Sequence, residues 1–549
     1  MVKHLLLIIL SCSLILNSRA QTDQINTAQA IQNIVEQSVN EDDPGAALGI
    51  VKDGEILHEF YFGKANLDHH IDVDENTRFN IASNCKQFTA LCILKLMEEG
   101  RLKLEEDFRT YIPGMLENIE QTITINHLIS HTSGIRDVYG LYALHGQSWW
   151  KLFIDNDDAI DMLKSQKDLN FLPGEQFLYS NSNYLILAEI VEVITEERFS
   201  DYAKAMFQDL GMESTEFLRY YSLIVPNKAK AYGDWGSGWR ECPAVASVHG
   251  DGSLYTTLHD QLIWEQTIQQ NNGSKLSKDL INLSQSNIYE NHGFGTVSGI
   301  DRGVDYIYHN GATCAYNANF LRLPEEGISI VVMSNGARAT AEYISWQVAE
   351  LLVDFEENEV IEYPAKPAAI ERLRNKESVV GTYQHEDGTI IRITLKNDTL
   401  SREMYQRDPI ALISEKGGLF EYSTITDLML NFENIGASNQ QFTIYKATQA
   451  PSTYHKIPDV EESNYNLAEV VGEYYNDETD TQIIIKHIEE DLFAITKNGK
   501  EREAVMMSPD RFRMNNYVIT TTRNDRNEVT GLLATKERIV NVTFKKLSQ

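Results

Sequence analysis

The sequence predicts an α+β fold, with an antiparallel sheet flanked by helices, an inserted helical subdomain and two small all-β, barrel-like domains behind it. Three observations carry this. Strand patterns occur at both ends of the first 355 residues and helical patterns between them. Beyond an acidic, Pro-containing stretch, Glu356 to Pro367, short alternating strands with polar turns take over. Within that last part, Val379-Val380-Gly381-Thr382-Tyr383 is echoed about ninety residues later by Val470-Val471-Gly472-Glu473-Tyr474.

Taken in order, Lys3 and His4 precede an apolar run, Leu5 to Leu16, and Ser18-Arg19-Ala20 supplies small residues for a cut before Gln21. This predicts export, to the periplasm or the medium; lipoprotein processing at Cys12 is the alternative. The run is too short for a membrane span and no later one qualifies. Ala28 to Glu41 reads as an amphipathic helix. Ala46 to Lys52, Asp53-Gly54 and Ile56 to Gly63 read as a hairpin. Lys86 to Glu99 is apolar nearly all round, as a buried helix is, and Gly100 ends it.

Residues from about Thr122 to Trp264 are mostly helical and loop-like, with helices expected at Trp149 to Ser165, Asn183 to Thr195 and Leu258 to Gln269. Strands return at Tyr306 to His309, Asn317 to Leu323 and Ile328 to Ser334, the last two as a hairpin, and a helix follows over Thr340 to Phe355. The expected division is a signal segment over 1–20, a catalytic domain over 21–358, a linker over 359–375, and β-domains over 376–458 and 459–549.

The formal charge of −32 in 549 residues argues against nucleic acid and anionic membrane surfaces, which need basic patches. Four cysteines remain beyond the signal segment, Cys85, Cys92, Cys242 and Cys314, too few for a disulfide framework. No Cys/His spacing suggests a metal, and no cofactor is implied.

Ser83-Asn84-Cys85-Lys86 carries the chemistry. A serine three residues before a lysine at a helix start puts hydroxyl and amine on one face, where a neutral amine can take the hydroxyl proton. The spacing alone is weak, since roughly two chance copies are expected in a chain this long. The second copy, Ser148-Trp149-Trp150-Lys151, lies in a polar stretch and reads as a surface or packing helix start. Ser83 by itself is equally an N-cap. Three further segments weigh on it. Tyr179-Ser180-Asn181 lies in a loop before an apolar helix, and a tyrosine there can shuttle a proton, although a packed aromatic is the plainer reading. Tyr308-His309-Asn310-Gly311-Ala312 ends a strand, with Gly311 allowing close backbone approach. His127 to Ile135 reads as structural packing beside the site.

In this order the segments resemble the serine β-lactamase and penicillin-recognising family, in the branch of class C β-lactamases, D-aminopeptidases, DD-peptidases and esterases. Phe79 to Ala90 resembles its first motif, Tyr179-Ser180-Asn181 its second and His309-Asn310-Gly311 its third. His131-Thr132-Ser133-Gly134, Gly250 to Thr257 and Phe320 to Pro324 resemble its connecting segments. The likeness runs from about Ile31 to Phe355.

The resemblance implies a β-lactamase-like sheet and a serine hydrolase acting on a small-molecule or peptide substrate. Ser83 would be the nucleophile, and Lys86 and Tyr179 would share acid and base work. Asn181, His309 and Gly311 would bind substrate, and the N–H groups of Ser83 and Ala312 would form the oxyanion hole. His309 stands where many members have lysine. A neutral histidine suits a substrate carboxylate less well, which tilts the expectation to D-aminopeptidase- or esterase-like activity, with D-amino-acid-containing peptides (D-aminopeptidase- or DD-peptidase-like) the leading substrates. An esterase, a β-lactamase or a catalytically silent binding protein of the same fold are the alternatives. Cys85 and Cys314 are expected to approach each other near the site, making Ser83 sensitive to thiol modification. The β-domains resemble, weakly, the barrels behind the catalytic domain of D-aminopeptidases.

Overall fold

The structure, a computed structural model, describes residues 26–144, 146, 151–234, 238–273, 275–356, 375–385, 390–403, 410–415, 419–422, 425–446, 449–457, 467–488, 491–496, 501–508, 510–514 and 517–547. The signal segment with Cys12, Ser148 and nearly all of the expected linker lie outside them.

The central sheet has eight antiparallel strands. In chain order they are β1 (Ala46–Lys52), β2 (Glu55–Phe62), β3 (Asn287–Tyr289), β4 (His292–Gly293), β5 (Val297–Asp301), β6 (Val304–Thr313), β7 (Tyr316–Leu323) and β8 (Ile328–Ser334). Their spatial order is β3-β4-β5-β6-β7-β8-β1-β2. The first hairpin therefore inserts beside the last strand, with Ala46 opposite Ser334 and Lys52 opposite Ile328. This long-range closure brings the two ends of the domain together.

Period-two alternation buries both faces of the sheet. Ala46, Leu48 and Ile50 of β1 and Ile328, Ile330 and Val332 of β8 pack in one core with helices α1 (26–36) and α5 (Ala341–Leu352). Ala47, Val51, Val331 and Met333 face the larger core, with helices α2 (Lys86–Glu98), α3 (Asn181–Thr195) and α4 (Leu258–Gln270). Strand β6 is longer than its expected Tyr306 to His309, because Val304 and Asp305 pair with β5 and Asn310 to Thr313 still pair with β7. Of the helix expected over Trp149 to Ser165, Trp149 and Trp150 lie outside the described residues, and the described part forms a helix over Asn156–Lys164. Asp155 caps it there, its carboxylate accepting from the Asp158 N–H.

Helix α2 is the hub of the larger core. From Lys86 to Leu94 every residue is buried. Phe88 meets Phe207 edge-on at 5.2 Å and Trp264 at 5.5 Å. Gln87 Oε1 accepts from Trp264 Nε1 at 2.7 Å and Arg322 Nη2 at 2.7 Å, tying α2 to α4 and to β7. The first turn of α2 is thus pinned against the sheet before any site chemistry is considered.

Two closed eight-stranded barrels follow, over Gly381–Ile457 and Gly472–Lys546. Thr382 pairs with Ile457 to close the first, and Tyr474 with Lys546 to close the second. The Gly-x-Tyr echo has a physical cause. Gly381 and Gly472 adopt φ of 145° and 154°, and a Cβ there would come within 2.6 Å of Lys456 Cε and 2.7 Å of Lys546 Cε.

Candidate active site

Ser83 lies in a short 3-10 turn, Ala82–Cys85, that runs directly into α2. Its hydroxyl makes no capping bond, so the N-cap use of this serine is not what the fold adopts. Ala82, just before it, sits at φ +46°, a strained conformation for a residue with a side chain. The half-buried Ser83 Oγ receives Lys86 Nζ at 3.1 Å and Tyr179 OH at 2.9 Å. All three expected catalytic residues therefore meet at one atom.

Lys86 is fully buried, and its ammonium has three partners. Besides Ser83 Oγ it donates to Asn181 Oδ1 at 3.0 Å and to the Asp251 carbonyl at 2.6 Å. Asn181, at the start of α3, is held by Asp137, whose Oδ2 accepts from Asn181 N and Nδ2, both at 2.9 Å. The second expected motif thus orients the lysine of the first.

The third motif forms the opposite wall. Gly311 has no room for a side chain: a Cβ would lie 2.2 Å from the Ile81 carbonyl and 3.1 Å from Ser83 N. This contact sets β6 against the Ser83 turn and brings Ala312 to the same cavity wall as Ser83. His309 Nδ1 lies 2.5 Å from the Asn310 carbonyl, and its ring is 6.3 Å from that of Tyr179. Burial, with the charge of Lys86 beside it, pushes the imidazole down to about 4, so it is neutral at pH 7.

His131 packs where the structural reading expected it. Its ring lies 4.3 Å from that of Tyr179, and its Nδ1 accepts from Ser180 N at 3.2 Å. Burial holds it well below the ordinary histidine value. It therefore acts as a neutral plate behind Tyr179.

Several site residues carry no legible motif. Asp251 is buried beside Lys86, with Oδ2 accepting from Tyr139 OH at 2.9 Å and Oδ1 unpartnered among the described residues. Burial raises its carboxyl, and the charge of Lys86 opposes that. Arg538, from the second barrel, places its guanidinium 4.5 Å from the centre of the Tyr179 ring. The Gly250-Asp251-Gly252 turn was visible as a connecting segment, but Arg538 had no local signal.

The expected approach of Cys85 and Cys314 is corrected. Cys85 is fully buried, and its Sγ donates to the Gly250 carbonyl at 3.7 Å. Cys314 instead lies against Cys242 and donates to the Pro243 carbonyl at 3.7 Å. Burial raises the Cys85 thiol, which makes it a poor thiolate and a poor target for modification.

Ser83, Tyr179, Asn181, Asp251, His309 and Arg538 line one cavity of about 580 Å³, bounded by the Ser83 turn, the Tyr179 loop, β6 and the tip of a barrel hairpin. A hydroxyl with two proton-exchanging neighbours at such a cavity can add to a carbonyl carbon. Among the described residues no group of His, Cys, Asp and Glu could hold a metal ion, and no helix is long and apolar enough to cross a membrane.

Comparison with known proteins agrees with this geometry. "Penicillin-binding protein 4*" of Bacillus subtilis (strain 168) is 29% identical over 378 residues, covering 64% of this chain and 82% of that protein. The D-aminopeptidase of Gluconobacter oxydans (strain 621H) is 28% identical over 362 residues, covering 64% of this chain and 65% of that protein. The solved octameric penicillin-binding protein homologue from Pyrococcus abyssi shares the fold, with a TM-score of 0.57, 20% identity, and coverage of 78% of this chain and 99% of that one. The D-amino acid amidase from Ochrobactrum anthropi SV3 does so at 0.50, with 18% identity over 59% of this chain and 98% of that one. Residues 29–353 match the Beta-lactamase family. The chain belongs to that family and is a serine hydrolase.

Proposed function

We propose that this β-lactamase-family hydrolase cleaves an amide or ester bond through an acyl-Ser83 intermediate, that peptides containing D-amino acids are its substrates, and that it acts after export. The observation that carries the reading is the convergence of Lys86 Nζ and Tyr179 OH on Ser83 Oγ, at 3.1 Å and 2.9 Å.

In the acylation step, Ser83 Oγ attacks the substrate carbonyl as its proton passes to Lys86 in its neutral amine form or to Tyr179 in its phenolate form. The N–H groups of Ser83 and Ala312 receive the developing oxyanion. The same proton then returns to the leaving amine or alcohol as the carbonyl re-forms. Water repeats the sequence on the acyl-enzyme. Asn181 and the Asp251 carbonyl keep Lys86 within reach of Ser83 throughout. The names of the Gluconobacter relative and of the Ochrobactrum fold neighbour support D-amino-acid chemistry. The neutral His309 supports a second reading on uncharged esters, which need no cation on that wall.

The test is turnover of D-amino-acid amides, short D-peptides, short-chain esters and a β-lactam, together with labelling by an active-site serine probe. Ser83→Ala is expected to lose labelling and at least about 10³-fold in kcat. Turnover surviving in that variant refutes the mechanism. Wild-type protein that neither labels nor turns over any member of the panel refutes the enzymatic reading.

A further inference from the structure

The hairpin of the second barrel between Val529–Lys536 and Ile539–Lys546 carries Lys536, Glu537 and Arg538 into the wall of the Ser83 cavity. We propose that Arg538 is a specificity-determining residue that binds a carboxylate of the substrate next to the scissile bond. The assignment rests on the acyl-Ser83 reading above and narrows its substrates to carboxylate-bearing ones, such as peptides ending in a free D-amino acid.

Position comes first. The Arg538 guanidinium lies over Tyr179, whose hydroxyl touches Ser83 Oγ, so it is one side chain away from the reacting atom. The hairpin is anchored. The Arg538 carbonyl accepts from Asp137 N at 3.3 Å and from Asn170 Nδ2 at 3.0 Å, while Val540 N donates to Asn170 Oδ1 at 2.7 Å. Ile539 fills the space left by Gly140, where a Cβ would come within 2.7 Å of its Cγ2. An anchored hairpin that stacks its guanidinium on the Tyr179 ring limits the freedom this side chain loses on binding an anion.

Hydrogen-bonding capacity comes second. Lys86 has three N–H groups and three acceptors. Among the described residues the Arg538 guanidinium donates no hydrogen bond. Its one ionic neighbour, Asp137 Oδ2 at 3.8 Å, already accepts two bonds from Asn181. The Arg538 side chain is 45% exposed, so its fork of donors faces the cavity solvent with geometry suited to a carboxylate. Glu537 lines the same cavity and stands for the rival reading, in which the wall binds a substrate ammonium.

The full-length protein tests this with N-acyl-D-alanyl-D-alanine against its C-terminal amide, and with D-alanyl-D-alanine amide as an amine-bearing ligand. KM is read in the wild type and Kd by calorimetry in Ser83→Ala, which separates binding from chemistry. The expected result is preference for the free carboxylate, a rise of about 10- to 100-fold in its KM and Kd in Arg538→Ala, partial retention in Arg538→Lys, and no change for the amide. The melting temperature of Arg538→Ala is expected to stay at the wild-type value. Equal loss for acid and amide, equal or absent binding of the two, or preference for the amine-bearing ligand abolished by Glu537→Gln each overturn the assignment. Binding that follows Arg538 without any turnover in the wild type counts against the acyl-Ser83 reading and leaves the carboxylate site standing.

Discussion

Tyr383 in the first barrel and Tyr474 in the second each send a hydroxyl to the carbonyl four residues back, Val379 at 2.9 Å and Val470 at 2.8 Å. Both barrels have eight strands in the same simple order. Their surroundings differ. The first barrel closes around its own core, with Tyr383, Leu430 and Phe442. The core of the second, with Tyr474, Leu532 and Phe544, is continuous with the large core of the catalytic domain. Across that junction Arg136, almost wholly buried, faces Glu478 at 3.4 Å, Ser165 Oγ bonds the Glu478 carbonyl, and Lys167 meets Asp477 at 2.5 Å. One β-architecture thus serves as a separate body in one copy and as a wall of the cleft in the other. Contact, rather than the fold of the unit, decides which copy lines the cavity.

The strongest way to break this comparison is a matched pair of core truncations. Leu430→Ala and Leu532→Ala each remove a fully buried leucine and are expected to cost about 2–5 kcal/mol of stability in their own barrels. Only Leu532→Ala is expected also to lower turnover, because its barrel positions the Arg538 hairpin. Equal activity in the two variants, measured beside their denaturation midpoints, would dissolve the distinction.

A smaller effect comes from the paired tyrosines. Tyr383→Phe and Tyr474→Phe each leave a buried carbonyl without its donor and are expected to cost about 1 kcal/mol. Tyr383 also receives Gln440 Nε2 at 2.6 Å, so its loss is expected to be the larger of the two. Thermal unfolding of both variants checks the order.

The smallest effect is an absence. Burial holds the His309 imidazole near 4. Activity is therefore expected to show no inflection from His309 near 6.5, where an ordinary histidine titrates. Stability behaves differently. Between 6.5 and about 4 the unfolded chain takes up a proton that the folded His309 refuses, so acidification through that window lowers stability. His309→Gln is expected to flatten that part of the stability profile, read from denaturation midpoints at each pH. A kcat/KM inflection near 6.5 that disappears in His309→Gln would show the imidazole titrating normally and return the charge on that wall to the catalytic domain.

What was legible in the sequence follows from the range of the interactions involved. Ser83 and Lys86 share a helix turn, Gly311 marks a strand that must pass close to another backbone, and Gly381 and Gly472 mark backbone that side chains rarely adopt. Each of these demands is local, so each leaves a trace within a few residues. Short apolar runs beside turn residues likewise announced β1 and β8 as hairpin strands, and the all-round apolarity of α2 announced a buried helix.

The rest was decided by tertiary structure. The pairing of β1 with β8 spans nearly the whole catalytic domain, and Cys314 meets Cys242 rather than Cys85 because the fold brings their loops together. Lys86 is held by the Asp251 carbonyl, a backbone group that any residue could supply. Arg538 reaches Tyr179 across more than half the chain, from a hairpin whose own pattern speaks only of its barrel. Periodicity records which face of an element is buried. It carries no record of which distant element covers that face, and in this protein that second fact sets Arg538 over Tyr179.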